Sequence, residues 1–406
     1  MEVAAKRSGG PGKTALALPL ASFTALPKKE DYQMYPQRRM VKQALRLGLL
    51  VALIALALSA CGVGGGQEAN KKKKSASSGS AAANGQIVFR RYFNPDQTKG
   101  ALFTMNPDGS HIRQITHPPK SLPQDDYAEW SPDGKRIVFQ REDVDFSTSR
   151  IMVVDPDTGD TRTVVIQASH PISWPSHPDF TPDGHSIAYS RVVAPPNVQD
   201  PPEWKYYSAI FKVGLDGSDP HQVTSTPKRH KGQLATETTD PAFSPNGKML
   251  TFVRYDPREK KNDRFAVFVQ PIGSPEDAQR ITPWKLNCQE KPEFSSDGKL
   301  ILFRCLPEGE EGPSNLYWVH PDGTGLHKLT HGEDADKQYL GSSFSPGFSD
   351  EEGWIVVGRT AGYGDEGNAD VFRVLIEDGE VVREVNLTKS ASWDSAPVWG
   401  THQPVG

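Results

Sequence analysis

A tight-turn motif repeats along this 406-residue chain and constrains its fold more than any other feature. An aromatic residue enters the turn at Trp130, Phe180, Phe243 and Phe294, and the four turns read Ser-Pro-Asp-Gly, Thr-Pro-Asp-Gly, Ser-Pro-Asn-Gly and Ser-Ser-Asp-Gly. A degenerate copy follows Phe344. The copies recur at intervals of about 50 residues, and a unit of that length with four short strands is typical of a β-propeller, not of a two-layer sandwich.

Each repeat predicts four short strands, A to D in chain order, because segments rich in β-branched and aromatic residues are separated by Gly, Pro and Asp turns. The first unit, which begins at Gly85, has no A strand, whereas residues 396–399 have the pattern of an A strand without a unit of their own. The sequence therefore predicts an all-β, six-bladed β-propeller over residues 85–400, in which the C-terminal strand completes the first blade, and a short tail at 401–406.

The region before the propeller predicts export and anchoring. Residues 40–61 have a basic start, a short apolar core and a small-residue cleavage site, as in a secretory signal peptide. Their end, Leu-Ser-Ala-Cys at 58–61, resembles the bacterial lipoprotein box, in which the cysteine (here Cys61) is lipidated. The alternative is a short transmembrane anchor with an incidental cysteine. Residues 1–39 do not fit before such a signal, so translation is expected to start at Met40, or 1–39 form a long leader.

Residues 62–84 consist mainly of Gly, Ser, Ala and Lys and predict a flexible linker. Of the three cysteines, only Cys288 and Cys305 remain once Cys61 is set aside, and they flank the Ser-Ser-Asp-Gly turn at nearly equal distances. Antiparallel register places such residues opposite each other, and an exported setting favours a disulfide. A slip of one residue would point the two side chains to opposite faces of the sheet.

The connections predict which face of the propeller binds a ligand. The A–B and C–D turns are short, whereas the B–C and D–A connections are long, and insertions gathered on one face indicate a binding surface. This long-loop face also has a basic side and an acidic side, which suits a protein or zwitterionic ligand; the alternative is a solvated surface without a partner. The candidate rim residues are Lys228, Arg229, Lys231 and Arg258 on the basic side and Glu310, Glu311, Asp334 and Asp365 on the acidic side.

A second set of candidates is predicted at the mouth of the central channel. These residues come just before the A strands, and they are Asp126, His177, Asp240, Lys291 and Asp394. Such groups could hold a cation such as calcium or a polar ligand, and the alternative is that they hydrate the channel entrance. We expect no cofactor. Because the net charge is −4, we expect no nucleic acid as partner.

The sequence does not predict catalysis. It has neither a Gly-x-Ser-x-Gly elbow nor a His-Glu-x-x-His pair. We therefore predict that the chain is not an enzyme. The alternative is a propeller-type glycan lyase or another metal-dependent carbohydrate-active enzyme, because His170, His177 and His185 lie within one blade region.

Three segments resemble the TolB-type propeller repeat. One is Phe-Ser-Pro-Asn-Gly-Lys at 243–248, and the other two, at 106–116 and 320–330, contain Pro-Asp-Gly and end in Ile-Thr or Leu-Thr. The resemblance covers about residues 85–400. It implies a propeller in the bacterial cell envelope with a binding role, as in TolB-type proteins that dock peptidoglycan-associated lipoprotein. Those proteins carry an α/β domain before the propeller, where this chain has only the linker. We predict a monomeric, lipid-anchored module, facing the periplasm or cell exterior, that binds an envelope protein or polymer on its long-loop face.

Overall fold

The computed structural model describes residues 85–144, 148–166, 174–193, 207–225, 236–257, 259, 264–306, 314–330, 339–346, 348, 352–360 and 368–405. These residues form an all-β structure with two short 3-10 helices at Pro275–Asp277 and Trp284–Leu286. Among them, no helix has the length and apolar character that a membrane crossing requires.

The strands are short, as the repeat predicted. In chain order they are β1 (Ile87–Tyr92), β2 (Gly100–Met105), β3 (Arg113–Gln114), β4 (Gln124–Trp130), β5 (Ile137–Glu142), β6 (Ser149–Val154), β7 (Thr161–Ile166), β8 (Pro175–Phe180), β9 (Ser186–Val193), β10 (Tyr207–Gly214), β11 (His221–Gln222), β12 (Glu237–Phe243), β13 (Met249–Tyr255), β14 (Phe265–Pro271), β15 (Gln279–Arg280), β16 (Cys288–Phe294), β17 (Ile301–Cys305), β18 (Asn315–Val319), β19 (His327–Lys328), β20 (Tyr339–Phe344), β21 (Glu352–Thr360), β22 (Ala369–Glu377), β23 (Glu380–Asn386) and β24 (Trp393–Trp399).

Antiparallel pairing divides the described strands into six four-stranded units. Unit I has the order β24-β1-β2-β3, and units II to VI follow as β4–β7, β8–β11, β12–β15, β16–β19 and β20–β23. Units VI, I and II belong to one twelve-stranded sheet, because single parallel bridges join β22 to β24 and β2 to β4. The pairing path through that sheet is open, ending at β20 and β7.

The repeated turn is formed by its own side chains. In unit II the Ser131 hydroxyl donates to Asp133 Oδ1 at 2.6 Å, and the same carboxylate accepts from the backbone amide of Lys135 at 3.1 Å. The Gly134 amide donates to the Ser131 carbonyl at 2.8 Å, and Gly134 has a φ of +69°, a region that favours glycine. Ser295 and Asp297 make the equivalent contact in unit V at 2.7 Å. The motif thus fixes each A–B hairpin locally.

The two ends of the propeller pair with each other. β24 is antiparallel to β1, with Trp399 opposite Ile87, and the Trp399 indole donates to the Gly85 carbonyl at 3.1 Å. The tail continues this contact, since the Gln86 amide donates to the carbonyl of His402 at 2.7 Å, and the His402 ring stacks on Trp130 with centroids 5.4 Å apart. The C-terminal strand therefore supplies the first strand of unit I.

The core lies between the units. Each of six apolar clusters joins neighbouring units: units I and II pack through Leu102 and Phe139, for example, and units VI and I through Val356 and Phe89. The other four clusters join units II–III, III–IV, IV–V and V–VI. The first strands of the units also contact one another in the same cyclic order. This arrangement is that of a β-propeller, with the first strand of each unit on the channel.

Candidate functional site

The first strand of every described unit carries a β-bulge three residues before its last residue. Here the pairing with the second strand shifts register, and the backbone has a positive φ, between +25° and +90°. Only one of the six residues is glycine, and a positive φ is uncommon for the others. Repeated strain of this kind, next to a channel, is typical of a functional site. The six residues are Tyr127, His177, Asp240, Lys291, Gly341 and Ala396.

The predicted channel-mouth residues lie inside these strands and not before them, so their predicted position was wrong. The turn motif marks only the end of each first strand, and the bulge lets the strand begin several residues earlier. His177, Asp240 and Lys291 occupy the bulge itself, whereas Asp126 is one residue before it and Asp394 two residues before it.

Bulge residues of units II, III and IV contact one another. His177 Nε2 lies 3.6 Å from Asp240 Oδ1, and His177 Nδ1 lies 3.3 Å from the Thr239 hydroxyl, to which Ser190 donates at 3.1 Å. The Tyr127 ring packs on the His177 ring with centroids 3.9 Å apart. The structure therefore holds the predicted residues His177 and Asp240 as an imidazole–carboxylate pair, which could bind a polar group or exchange a proton with one.

Lys291 crosses the channel from unit V to unit II, three units away. Its ammonium forms an ion pair with the Glu129 carboxylate and donates to the carbonyl of Ala128 at 3.2 Å. The Lys291 side chain is 23% exposed and that of Glu129 10%. This ion pair bridges opposite sides of the channel.

Two arginines add charge to the same region. Arg90 forms an ion pair with Asp126 and donates to the Ser395 hydroxyl at 2.8 Å, while Arg304 lies 2.7 Å from Glu290. Burial raises the pKa of Glu290, although Arg304 opposes the shift. The channel mouth is thus a mixed-charge cluster.

Asp394 makes its described contacts mainly with Arg91. Both carboxylate oxygens accept from Arg91 at 2.7 Å, and Asp394 is fully buried. Asp125 and Arg141 make the same bidentate pair in unit II at 2.6 and 2.8 Å. Arg91, Arg141 and Cys305 occupy equivalent positions in units I, II and V. Each lies two residues after the phenylalanine of the second strand, which is Phe89, Phe139 or Phe303.

Cys305 lies directly opposite Cys288 in the register of β16 and β17, and the two residues are joined by a disulfide. At this position the first and second strands are therefore joined by an ion pair in units I and II and by a disulfide in unit V.

The sequence analysis missed three carboxylates, Glu129, Asp179 and Glu293, each of which stands directly before the aromatic residue that enters the turn. Burial raises the pKa of Asp179 to about 7, and the Glu293 charge adds to that shift. Burial also raises the pKa of Glu293 to about 7 and lowers the pKa of Lys291 to about 8. An acidic residue at this position, in a strand otherwise apolar near its end, was the signal that could have found them.

These pKa values predict that the protein is more stable at pH 5 than at pH 8. The folded chain binds protons on Asp179 and Glu293 near pH 7, whereas the unfolded chain binds them only near pH 4. Between these limits the folded state holds more protons, so the free energy of unfolding rises as the pH falls. Each of the two carboxyls holds its extra proton over about two pH units, and one unit corresponds to about 1.4 kcal/mol per group, so we expect a gain of about 5 kcal/mol. Urea unfolding at each pH measures it.

The control is the double variant Asp179→Asn, Glu293→Gln, which keeps the side-chain shapes and removes both titrations. The side-chain amide carbonyl that this variant carries at position 179 can still accept the hydrogen bond that the Phe243 amide donates to Asp179 at 3.2 Å. The unfolding free energy of the variant is expected to change much less between pH 8 and pH 5. Equal pH slopes for this variant and the wild type would show that the two carboxyls do not cause the effect.

Other predicted residues cannot be placed. The eight rim candidates, Lys228, Arg229, Lys231, Arg258, Glu310, Glu311, Asp334 and Asp365, lie outside the described residues, as do Cys61 and His170. His185 lies in the short turn between β8 and β9, whereas His177 lies within β8. Within the described ranges, no three His, Cys, Asp or Glu side chains form a group that could hold a metal ion. The absence of a cofactor stays a prediction.

No family model matches the chain. The fold is similar to that of TolB from Acinetobacter baumannii, with a TM-score of 0.53 and 18% identity over 78% of this chain and 66% of that one. It is also similar to hydrazine synthase from Kuenenia stuttgartiensis, with a TM-score of 0.55 and 11% identity over 79% of this chain and 48% of that one. At these identities the likeness concerns the fold alone. It confirms the predicted TolB-like β-propeller.

Curated relatives match part of the chain. Dipeptidyl-peptidase 5 of Arthroderma otae is 28% identical over 153 residues, which are 37% of this chain and 20% of the relative. The protein of the same name from Trichophyton schoenleinii is 25% identical over 184 residues, 43% of this chain and 24% of the relative. The chain thus spans less than a quarter of the length of these relatives. The prediction that the chain is not an enzyme is contradicted, because the relatives that share its sequence are named as peptidases.

Proposed function

We propose that this chain is an exported, lipid-anchored, six-bladed β-propeller that recognises a partner protein with its long-loop face. The cyclic order of the six units supports the blade number, and the sequence of residues 40–61, which ends at Cys61, supports export and lipidation. The proposed propeller spans residues 85–400, and residues 62–84 tether it to the membrane. The TolB-like fold is compatible with a place in the cell envelope.

The main support for the proposal is that three large apolar side chains of the long-loop face are exposed to solvent. Phe93, Val144 and Ile166 are 51%, 42% and 64% exposed. Phe93 and Val144 lie in the connections after β1 and β5, and Ile166 ends β7, so all three are at the long-loop end of units I and II. Exposed apolar groups in two neighbouring units suit a protein interface, where aromatic anchors such as Phe93 contribute most; Phe93 is the one aromatic residue among the exposed large apolar side chains of the described residues.

The backbone links these loops. The Phe93 amide donates to the Lys99 carbonyl at 2.8 Å, and Gly100, the next residue, bridges to Gln124 of unit II. Gln124 in turn lies opposite Glu142, two residues before Val144. The Phe93 ring also packs edge-on against Phe103, with centroids 6.1 Å apart. Phe93 is therefore held in place before a partner arrives, which lowers the entropy lost on binding.

The test is a triple variant, Phe93→Ser, Val144→Ser, Ile166→Ser, of the full-length lipidated chain. We expect its affinity for a partner protein cross-linked to the wild type in cells to fall at least ten-fold, since a few apolar anchors dominate most interfaces. Quantitative mass spectrometry of the cross-linked material identifies the partner, and binding of the purified partner measures the affinity.

The matched control places the same change on the other face. Ile112, Ile272 and Leu326 are 37%, 44% and 39% exposed, and all three lie in connections between third and fourth strands, at the short-turn end. A variant with serine at these three positions is expected to bind as the wild type does. The proposal fails if both variants lose the partner equally, or if neither does.

A second candidate function follows from the relatives named dipeptidyl-peptidase 5: the chain would cleave dipeptides from peptide substrates. Release of nitroaniline from dipeptidyl nitroanilides by the purified full-length chain tests it. Nitroaniline release by the wild type, but not by the triple serine variant of Phe93, Val144 and Ile166, would favour this function. The glycan-lyase alternative stays a prediction.

A further inference from the structure

The channel holds more carboxylates than cations among the described residues. Contacts and charge interactions link six carboxylates with three basic side chains, which leaves three negative charges in excess when all nine groups are ionised. The carboxylates are Asp126, Glu129, Asp179, Asp240, Glu290 and Glu293, and the cations are Arg90, Lys291 and Arg304. An excess of this kind attracts a cationic group from outside.

The site already contains an ammonium group, that of Lys291. It reaches its two acceptors, the Glu129 carboxylate and the Ala128 carbonyl, from the opposite side of the channel. Its long flexible chain can swing away, because about a quarter of its surface is exposed.

A further carboxylate, that of Glu293, lies beside Lys291; burial raises its pKa, and the Ser343 hydroxyl and the Phe344 backbone both oppose that rise. Glu293 interacts electrostatically with both Lys291 and Asp179, and its Oε1 accepts from the Ser343 hydroxyl at 3.0 Å. Its Oε2 is shielded from solvent and has no hydrogen-bond partner. A buried carboxylate oxygen in this state is costly unless a donor reaches it.

We propose that Glu129 and Glu293, with the Ala128 carbonyl, form a binding site for a primary ammonium group, that of a lysine side chain on the partner polypeptide, and that Lys291 occupies this site until the partner displaces it. The polypeptide source rests on the proposed function, whereas the ammonium site rests on the channel residues alone. A primary ammonium fits because it carries three donors, for Glu129, the Ala128 carbonyl and Glu293. A metal ion fits poorly, because the described carboxylates do not converge on one point.

The test replaces Lys291 by methionine in the full-length chain, which keeps the length of the side chain and removes the competing charge. The probes are two peptides, acetyl-Gly-Lys-Gly-amide and acetyl-Gly-norleucine-Gly-amide, which differ in the ammonium group. We expect Lys291→Met to bind the lysine peptide at least ten-fold more tightly than the wild type does, by calorimetry at pH 8, and to bind the norleucine peptide weakly. The added change Glu129→Gln is expected to weaken lysine-peptide binding at least ten-fold.

A measurement on the wild type keeps the test decisive if that variant folds poorly. The side-chain Cε resonance of Lys291, assigned with Lys291→Arg, is expected to move toward that of an exposed lysine when the lysine peptide is added in excess. The proposal is overturned if the resonance does not move, or if a folded Lys291→Met binds both peptides alike or neither. Such a result would reject the ammonium site. The proposed protein recognition would still be supported if the triple serine variant of Phe93, Val144 and Ile166 loses the partner.

Discussion

A chain that ends at residue 392 is expected to lose its cooperative fold. The deletion removes β24, and with it Val398 and Trp399, which are only 4% exposed and pack in the clusters between unit I and its neighbours. Losing one buried tryptophan side chain costs about 3–5 kcal/mol. Losing the whole strand approaches the roughly 5–15 kcal/mol that stabilises most proteins. Circular dichroism melting and gel filtration of the truncated chain measure the loss, and a normal melting transition would contradict it.

The control moves the strand instead of removing it. In this circular permutant the chain starts at residue 390, runs to residue 399, passes through an added Ser-Pro-Asp-Gly-Lys-Arg turn, as at 131–136, into Ile87, and ends at residue 389. The added turn is the one that joins first and second strands elsewhere, and it suits this place because Trp399 lies opposite Ile87. We expect the permutant to fold. A permutant as unstable as the truncated chain would show that the loss does not come from β24.

Replacing Cys288 and Cys305 by alanine is expected to lower the free energy of unfolding by about 3 kcal/mol. The disulfide closes a loop of 17 residues, and the chain-entropy model gives about that value for a loop of this size. Both residues are fully buried, so the change also removes packed atoms from the interface between units IV and V. Urea unfolding of the full-length oxidised protein and of the variant measures the difference.

The chain offers its own matched control for this change. Cys288→Asp with Cys305→Arg installs the pair that closes the corresponding hairpins of units I and II, Asp394 with Arg91 and Asp125 with Arg141. We expect this variant to recover part of the lost stability, and to lose it again when either partner alone is present, because a single buried charge is costly. If it is no more stable than the double alanine variant, the positions are not equivalent.

The propeller could be predicted because its signals are local and repeated. The turn motif specifies each first hairpin through Ser, Asp and Gly within five residues, and its repetition leaves little choice of topology. The pairing of the chain ends followed from a strand missing at Gly85 and one left over near Trp399. The bulges could not be predicted, because nothing in the sequence around Tyr127 or His177 marks a positive φ in the way that glycine does.

The site could also be predicted in part from the repeated turn motif. His177, Asp240 and Lys291 were found by their distance from the turn motif, and the bulge then places them on the channel. Their partners come from other units, since Lys291 meets Glu129 across the channel, and such contacts depend on the cyclic order of the units and not on neighbours in sequence. Asp394 has the right spacing, but its oxygens are taken by Arg91.

If the chain is anchored through Cys61 as proposed, the pairing of the two chain ends also sets its orientation toward the bilayer. β1 starts beside Trp399 and the tail, where the His402 ring lies 2.8 Å from the carbonyl of Gly134 in a short turn. Because Gly85 lies at the short-turn side, the predicted flexible linker at 62–84 would join the propeller there, and a linker of that length would reach about 25 Å. A protein tethered in this way turns Phe93 and the mouth of the channel outward, toward molecules that approach from solution or from an opposing surface.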